Sequence, residues 1–109
     1  MGISKSTQFT EKQNRKAELY KALGHPARIA IIEFLIEKDS CVCGDIVENL
    51  PLSQSTISQH LKELKSVGII KGEIEGSKTC YCIDNKVWIE LEEINIKLTE
   101  SYSNKNGCC

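Results

Sequence analysis

The sequence predicts a mainly α-helical domain that carries one small β-hairpin, and three observations support that fold class. Apolar residues recur at helical spacing in successive stretches before Gly68, and glycines and prolines separate these stretches. Two segments rich in β-branched and aromatic residues, 69–75 and 79–84, flank turn residues and indicate a hairpin. A last amphipathic stretch begins near Asn85 and predicts a closing helix.

Length and composition exclude several classes of protein. The chain has 109 residues, close to the commonest size of one domain. Its net charge of −1 argues against a basic protein that coats nucleic acid, and its hydrophobic content of 40% argues against a wholly disordered chain. There is no apolar signal-peptide core and no apolar run near the roughly 20 residues that span a bilayer, so we expect a cytoplasmic protein without a membrane partner. The expected divisions are a disordered tail at 1–7, a domain at 8–100 and a flexible, cysteine-terminated tail at 101–109.

The N-terminal half is expected to form two helices and a short third one. The first helix, over 8–23, is only loosely amphipathic and stops at Gly24. Pro26 occupies the first turn of the second helix, where the missing N–H of proline costs nothing. The second helix, over 27–37, is apolar on nearly all sides, so we expect it to be buried at the centre. After it come an extended segment at 40–43, a short helix at 44–50 and the helix-ending Pro51.

The segment after Pro51 carries the clearest helix signal. Ser53 is a good N-cap residue, and Gly68 ends the helix. Its apolar face carries Ile57, Leu61, Leu64 and Val67. A short helix, a turn and a longer helix with a polar outer face form the helix-turn-helix pattern, and the hairpin that follows makes it a winged helix.

The polar outer face of this helix predicts contact with double-stranded DNA. Glutamine can pair with an adenine edge, serine and threonine adapt to several partners, and lysines contact phosphates. The N-terminal half of the helix would enter the major groove, and the wing would touch the backbone or the minor groove. A merely solvated face is the alternative, but the order of the elements favours DNA binding. The predicted DNA contacts are Gln54, Ser55, Thr56, Ser58, Gln59, Lys62 and Lys65 on the helix and Lys78 at the hairpin tip.

Six cysteines fall in three close pairs, namely Cys41 and Cys43, Cys80 and Cys82, and Cys108 and Cys109. Without a secretion signal we expect a reducing compartment, in which clustered cysteines favour thiol chemistry over a disulfide framework. The alternative is that they serve as small buried apolar residues. Cys80 and Cys82 point to one face of their strand, and the bulkier opposite face, Thr79, Tyr81 and Ile83, is the better candidate for the core side. If the segment at 40–43 pairs with this strand, the first two cysteine pairs become neighbours.

About two thirds of the chain, from Leu23 to Trp88, resembles the ArsR/SmtB family of metal-sensing repressors. The resemblance rests on Ala22-Leu23-Gly24-His25-Pro26-Ala27-Arg28, Cys41-Val42-Cys43-Gly44-Asp45-Ile46 and Leu52-Ser53-Gln54-Ser55-Thr56-Ile57-Ser58-Gln59-His60-Leu61. It implies a dimeric winged helix whose first and last helices form the dimer interface. It also implies binding to an inverted-repeat operator and release when a metal or metalloid binds.

The family's ligand sets carry over only in part. Cys41-Val42-Cys43 matches the motif of the arsenic-type members with Gly44 as an extra residue, and Ile46 stands where some arsenic sensors have a third cysteine. The zinc-type site on the last helix looks absent, because the only histidines are His25 and His60, and we take His60 as a structural or backbone-contacting residue. Zinc also prefers four ligands and cysteines spaced by two or more residues, which neither pair offers. Thiolates without histidines suit As(III) or Sb(III), or a methylated arsenical that needs only two sulfurs.

These residues predict a repressor of a resistance operon that a trivalent arsenical releases from DNA. Cys41 and Cys43 are the main candidate ligands. Further candidates are Cys80, Cys82, Cys108 and Cys109. Within the same fold, a repressor that responds to thiol oxidation or persulfide is the alternative.

Two other classes of protein fit less well. A thiol enzyme such as an arsenate reductase needs an arginine beside its cysteine, and neither Arg15 nor Arg28 neighbours one in sequence, so no enzyme is expected. A simple dimerisation module would have no use for a capped helix with a serine- and glutamine-rich face.

Overall fold

The computed structural model describes residues 8–76 and 78–105. Within these residues, four helices precede a two-stranded hairpin and one helix follows it, which is the order that the sequence predicts. The elements are α1 (Glu11–Leu23), α2 (Pro26–Lys38), α3 (Asp45–Asn49), α4 (Gln54–Ser66), β1 (Ile70–Glu75), β2 (Lys78–Ile83) and α5 (Asn85–Ser103). The mainly α-helical fold class is therefore confirmed. α2 lies at the centre and packs against α1, α4 and β2.

Local side-chain chemistry sets the starts of the first two helices. Thr10 and Gln13 form a reciprocal capping box, so α1 begins at Glu11, three residues later than expected. His25 caps α2, because its Nδ1 accepts a hydrogen bond from the backbone N–H of Ala27 at 3.0 Å. Pro26 occupies the first helical position, as predicted.

The apolar core is narrower than the sequence suggests. On α2, Ile31, Ile32 and Leu35 are buried, but Ile36 is 51% exposed, so the expectation of an all-round buried helix is wrong. On α5, Leu91 is buried whereas Leu98 is 53% exposed. An apolar periodicity marks a surface that can be covered, and no element within residues 8–76 and 78–105 covers Ile36 or Leu98.

The hairpin pairs β1 with β2 in antiparallel register, with Ile70 opposite Ile83. Lys78, expected at the tip, is the first residue of β2 and lies opposite Glu75. A third short segment joins the hairpin at Val42, whose N–H and C=O exchange hydrogen bonds of 2.8 and 2.9 Å with Tyr81. The predicted extended segment therefore pairs with the second wing strand, which makes it a third strand in effect.

Two glycines with positive φ set the connections around the helix-turn-helix. Gly44 has a φ of 90° and leads from the extended segment into α3. Gly68 has a φ of 86° at the end of α4, and a Cβ there would lie 3.0 Å from Cγ2 of Val87 on α5. A larger residue at position 68 would therefore strain the backbone and push against α5.

The ends of the described chain differ from the expected divisions. α5 continues to Ser103, three residues beyond the expected domain limit at residue 100. The predicted N-terminal tail at 1–7 and the predicted Cys108 and Cys109 lie outside the described residues. Among the helices in 8–76 and 78–105, none combines the length and apolarity needed to cross a membrane.

Candidate nucleic-acid interface and cysteine cluster

The outer face of α4 is polar and fully accessible. Ser53 caps the helix by accepting the N–H of Thr56 at 3.3 Å, and its hydroxyl donates to that of Thr56 at 2.9 Å. Ile57, Leu61 and Leu64 anchor the opposite face in the core, which fixes the orientation of the helix. All the contacts predicted on this helix are exposed, namely Gln54, Ser55, Thr56, Ser58, Gln59, Lys62 and Lys65, and Glu63 and Ser66 are exposed as well.

The wing supplies a second polar surface beside α4. Lys78 is exposed at the start of β2, next to the turn. The ammonium of Lys65 lies close to β1, 3.4 Å from where a Cβ on Gly72 would be. Lys65 therefore lies between the helix and the wing, and Gly72 leaves the space that this side chain needs.

An arginine and two histidines connect α4 to the first two helices. Nε of Arg28 donates to Nδ1 of His60 at 3.1 Å, and Nη1 of Arg28 donates to the carbonyl oxygen of Ala22 at 3.2 Å. The ring of His25 lies 4.5 Å from that of His60, centroid to centroid. Burial, and then the nearby His25 and Arg28, hold the pKa of His60 below its usual value. His60 thus has a structural contact, as predicted, and the role of Arg28 was missed.

Four of the six cysteines meet at the bridge between Val42 and Tyr81. In an antiparallel ladder, the residue before a paired position on one strand lies opposite the residue after the paired position on the other strand. The side chains of these flanking residues share the face that the paired side chains do not occupy. The Cα atoms of Cys41 and Cys82 are accordingly 4.3 Å apart, and those of Cys43 and Cys80 are 4.1 Å apart. Both pairs are joined as disulfides in this structure. The two cysteine pairs are thus neighbours, as the sequence argument anticipated.

The burial of β2 differs from the prediction. Tyr81 and Ile83 do pack against the core, but Thr79 is exposed. Cys80 is 0% exposed and Cys82 is 9% exposed, so the cysteines are more buried than the face predicted to be the core side. Pairing at Val42 places Cys41 and Cys43 opposite the two cysteines of β2, and α2 also packs against this strand.

A carboxylate from the first wing strand, β1, lies beside Cys41 and Cys82, which we call the outer cysteine pair. Oxygen of Glu73 and the sulfur atoms of Cys41 and Cys82 all lie within 4.8 Å of one another. Nζ of Lys71 is 3.9 Å from Oε1 of Glu73. Within the described residues this is the one group of histidine, cysteine and acidic side chains with the spacing of metal ligands. Glu73 was missed, because only the register of β1 against β2 brings it here.

Comparison with known proteins defines the class. Residues 25–71 match the model described as "Bacterial regulatory protein, arsR family". An HTH-type transcriptional regulator of Methanocaldococcus jannaschii is 43% identical over 79 residues, which are 71% of this chain and 88% of that relative. The HTH-type transcriptional repressor SmtB of Mycobacterium tuberculosis is 44% identical over 64 residues, or 59% of this chain and 47% of SmtB. The chain therefore spans about half the length of that relative.

The fold also matches solved structures. The homodimeric winged helix-turn-helix DNA-binding domain Mb0332 of Mycobacterium bovis superposes with a TM-score of 0.65 at 20% identity, over 93% of this chain and 97% of that one. The structure shows a winged helix-turn-helix fold, and the sequence relatives define a transcriptional regulator. The chain belongs to the ArsR/SmtB family of metal-responsive regulators.

Proposed function

We propose that this protein is a cytoplasmic, homodimeric repressor of a resistance operon that a trivalent arsenical releases from an inverted-repeat operator. The observation that carries the proposal is the convergence of four cysteines at the bridge between Val42 and Tyr81. This cysteine cluster is separated from the helix-turn-helix only by Gly44, so a change in the cluster reaches α3 directly.

Operator binding rests on α4 and the wing. The exposed Gln54 and Gln59 offer paired hydrogen bonds to base edges, and Lys62, Lys65 and Lys78 offer charges to phosphates. The overall charge of −1 leaves a modest electrostatic contribution to affinity. Such a repressor depends on the position of α4 in the groove, and a small displacement of α4 is enough to release the repressor from DNA.

The inducer would bind the reduced form of the cysteine cluster. As(III) binds sulfur strongly, and the cluster offers Cys41 and Cys43 together with a third thiolate from Cys80 or Cys82. Drawing these sulfurs around one atom changes the spacing between the extended segment and β2, and Gly44 transmits the change to α3. A coupling of about 1–3 kcal/mol would lower operator affinity roughly 5–150-fold.

Dimerisation is supported by apolar side chains that the single chain leaves uncovered on its terminal helices. These are Tyr20 on α1 and Ile89, Ile96, Leu98 and Tyr102 on α5. Arg15 and Glu90 hold the two helices together through bonds of 2.9 and 3.0 Å, so they present one surface. The similar domain from Mycobacterium bovis is described as homodimeric.

A second candidate signal, thiol oxidation, is favoured by the disulfides in this structure. Cys41 with Cys82, and Cys43 with Cys80, are placed to close without further chain movement. With a peroxide as oxidant, each pair gives up two electrons and two protons to form one disulfide, and the peroxide is reduced to water or alcohol. This closure would fix the wing to the extended segment.

Fluorescence anisotropy on a labelled DNA fragment from the protein's own promoter tests both signals. The protein is first reduced with a phosphine and kept free of oxygen, and arsenite, methylarsenite, zinc and peroxide are then added separately. We expect arsenite to raise the dissociation constant roughly 5–150-fold in the reduced protein and not in Cys41→Ser. If DNA stays bound with arsenite but is released by peroxide, oxidation is the signal. Binding that neither agent changes contradicts the proposal.

A further inference from the structure

Among the described side chains, the acidic group at metal-ligand spacing lies beside the outer pair of the cysteine cluster, Cys41 and Cys82. Glu73 lies opposite Cys80 in the strand register, yet its carboxylate reaches toward the sulfurs of Cys41 and Cys82. These three groups come from the extended segment, β2 and β1. An arsenical has no need of a carboxylate, since As(III) is held by sulfur. Glu73 therefore adds a type of ligand that an arsenical does not use.

We propose that Cys41, Cys82 and Glu73 of the reduced protein form a site for a divalent cation of the zinc type. The proposal deepens the proposed function, since it rests on two thiolates of the same cysteine cluster. Zinc accepts thiolate sulfur at about 2.3 Å and carboxylate oxygen at about 2.0–2.2 Å, and sites with three protein ligands leave a fourth position to water or another ligand. Ligand atoms within 4.8 Å of one another need only small side-chain rotations to reach that geometry.

The charge of the site fits a divalent ion. Two thiolates and one carboxylate bring three negative charges to the site, and the ammonium of Lys71, 3.9 Å from Glu73, contributes one positive charge. A divalent cation makes the group neutral, which suits a site where Cys82 is almost fully buried. The cation position is also open on one side, where a cleft lined by Leu35, Ile36 and Trp88 begins.

This site differs from the zinc-type site that the sequence argument rejected. The rejected site would need histidines on the last helix or suitably spaced cysteines within one segment. Here each ligand comes from a different strand-like segment, and no histidine takes part. A cation at this position would join the wing to the extended segment in the reduced protein, as the Cys41–Cys82 disulfide does in the oxidised protein.

Co²⁺ is a suitable probe, because its absorption reports tetrahedral geometry and thiolate ligation directly. The full-length protein is reduced with a phosphine, freed of metal and titrated with Co²⁺ and then Zn²⁺ without oxygen. We expect a single tetrahedral Co²⁺ per chain, with the charge-transfer intensity of two thiolates, that Zn²⁺ displaces. Glu73→Gln should weaken Co²⁺ binding at least about tenfold, the lower limit seen when even an outer partner of a metal ligand is removed. Glu33→Gln, an exposed glutamate on α2, is the matched control and should bind as the unchanged protein does.

Two results would overturn the assignment. One is Co²⁺ binding by Glu73→Gln that equals that of the control. The other is a charge-transfer intensity that needs four thiolates and falls by one thiolate of the four in Cys43→Ser, because the cation would then occupy the whole cluster. Glu73 is exposed, so its variant is expected to fold, and circular dichroism checks this. Arsenite-driven release of DNA is measured in parallel for the unchanged protein and for Glu73→Gln. If arsenite releases DNA from neither protein, the proposed function is contradicted, and the cation site is still judged by Co²⁺ binding.

Discussion

At the scale of single residues, Arg28 and His60 connect α4 to the first two helices. The contact between them requires His60 to keep Nδ1 without a proton, because Nε of Arg28 is the donor. The same guanidinium donates to the end of α1 through the carbonyl of Ala22. Arg28 follows the N-cap His25 by three residues and thus joins α1, α2 and α4 with one side chain.

The depressed pKa of His60 predicts a loss of stability in mild acid. The folded state disfavours protonated His60, while the unfolded chain protonates near the ordinary value of 6.5. The stabilising contribution is therefore complete above that value and is lost as the pH falls through the lower pKa of the folded state. We expect the free energy of unfolding in urea to fall more between about pH 7.5 and about pH 5.5 in the unchanged protein than in His60→Gln. An equal fall in both would contradict this role.

At the scale of elements, α4 works as a unit with a buried and an exposed side. Ile57, Leu61 and Leu64 hold it in the core, so its polar face keeps one orientation. The cap at Ser53 fixes where the helix begins, which places the first glutamine and the hydroxyls at its N-terminal end. The element therefore presents donors and acceptors in one orientation, as the proposed contact with a DNA groove requires.

A single lysine on this face gives a quantitative test of DNA contact. Replacing Lys62 with alanine removes one predicted phosphate contact from each protomer of the proposed dimer, so the slope of log affinity against log salt concentration should fall by about 2. Lys38→Ala, at the end of α2 and away from α4, is the control and should leave the slope unchanged. Anisotropy titrations at several salt concentrations measure both, and an unchanged slope in Lys62→Ala would remove this residue from the interface.

The elements also show what the sequence could and could not predict. α4 was predicted closely because a cap, an apolar stripe and a terminating glycine all lie within one segment. The exposure of Ile36 and Leu98 was missed, since periodicity does not tell which apolar surfaces the same chain covers. The burial of Cys80 and the arrival of Glu73 depend on pairing between segments far apart in sequence, and only the register of the hairpin and of Val42 with Tyr81 reveals them.

At the scale of the whole molecule, two covalent links join the two halves of the domain. The disulfides bridge separations of 41 and 37 residues, between the segment before α3 and the wing. Closing a loop of that size stabilises a protein by about 4 kcal/mol in the chain-entropy model, and the second, nested link adds less. Oxidation therefore affects the stability of the whole domain as well as its local geometry.

Reduction should lower the global stability of the oxidised protein by several kcal/mol, about 4 for the first link. Urea unfolding of the oxidised protein with and without a phosphine measures the difference. The Cys41→Ser and Cys43→Ser double variant serves as the control, because its stability should not respond to the reductant. Equal midpoints for the oxidised and reduced protein would show that the links constrain nothing in the unfolded chain.

Dimerisation through the terminal helices predicts a selective effect of charge at Leu98. Leu98→Glu places a carboxylate on the apolar surface of α5 and should produce monomers that bind DNA weakly, because a monomer contacts one half-site. Ile36→Glu is a matched control, since Ile36 is equally exposed on a different helix. Sedimentation velocity gives the oligomeric state, and a dimer in Leu98→Glu would place the interface elsewhere.

The spacing of the cysteines along the chain also sets when the cysteine cluster can form during synthesis. Cys80 follows Cys43 by 37 residues, which at ribosomal rates of 5–20 residues per second takes roughly 2–7 s. During that interval the growing chain carries the first two sulfurs without the wing that supplies the others. Neither disulfide, and no site that needs a sulfur of Cys80 or Cys82, can form before β2 has been synthesised.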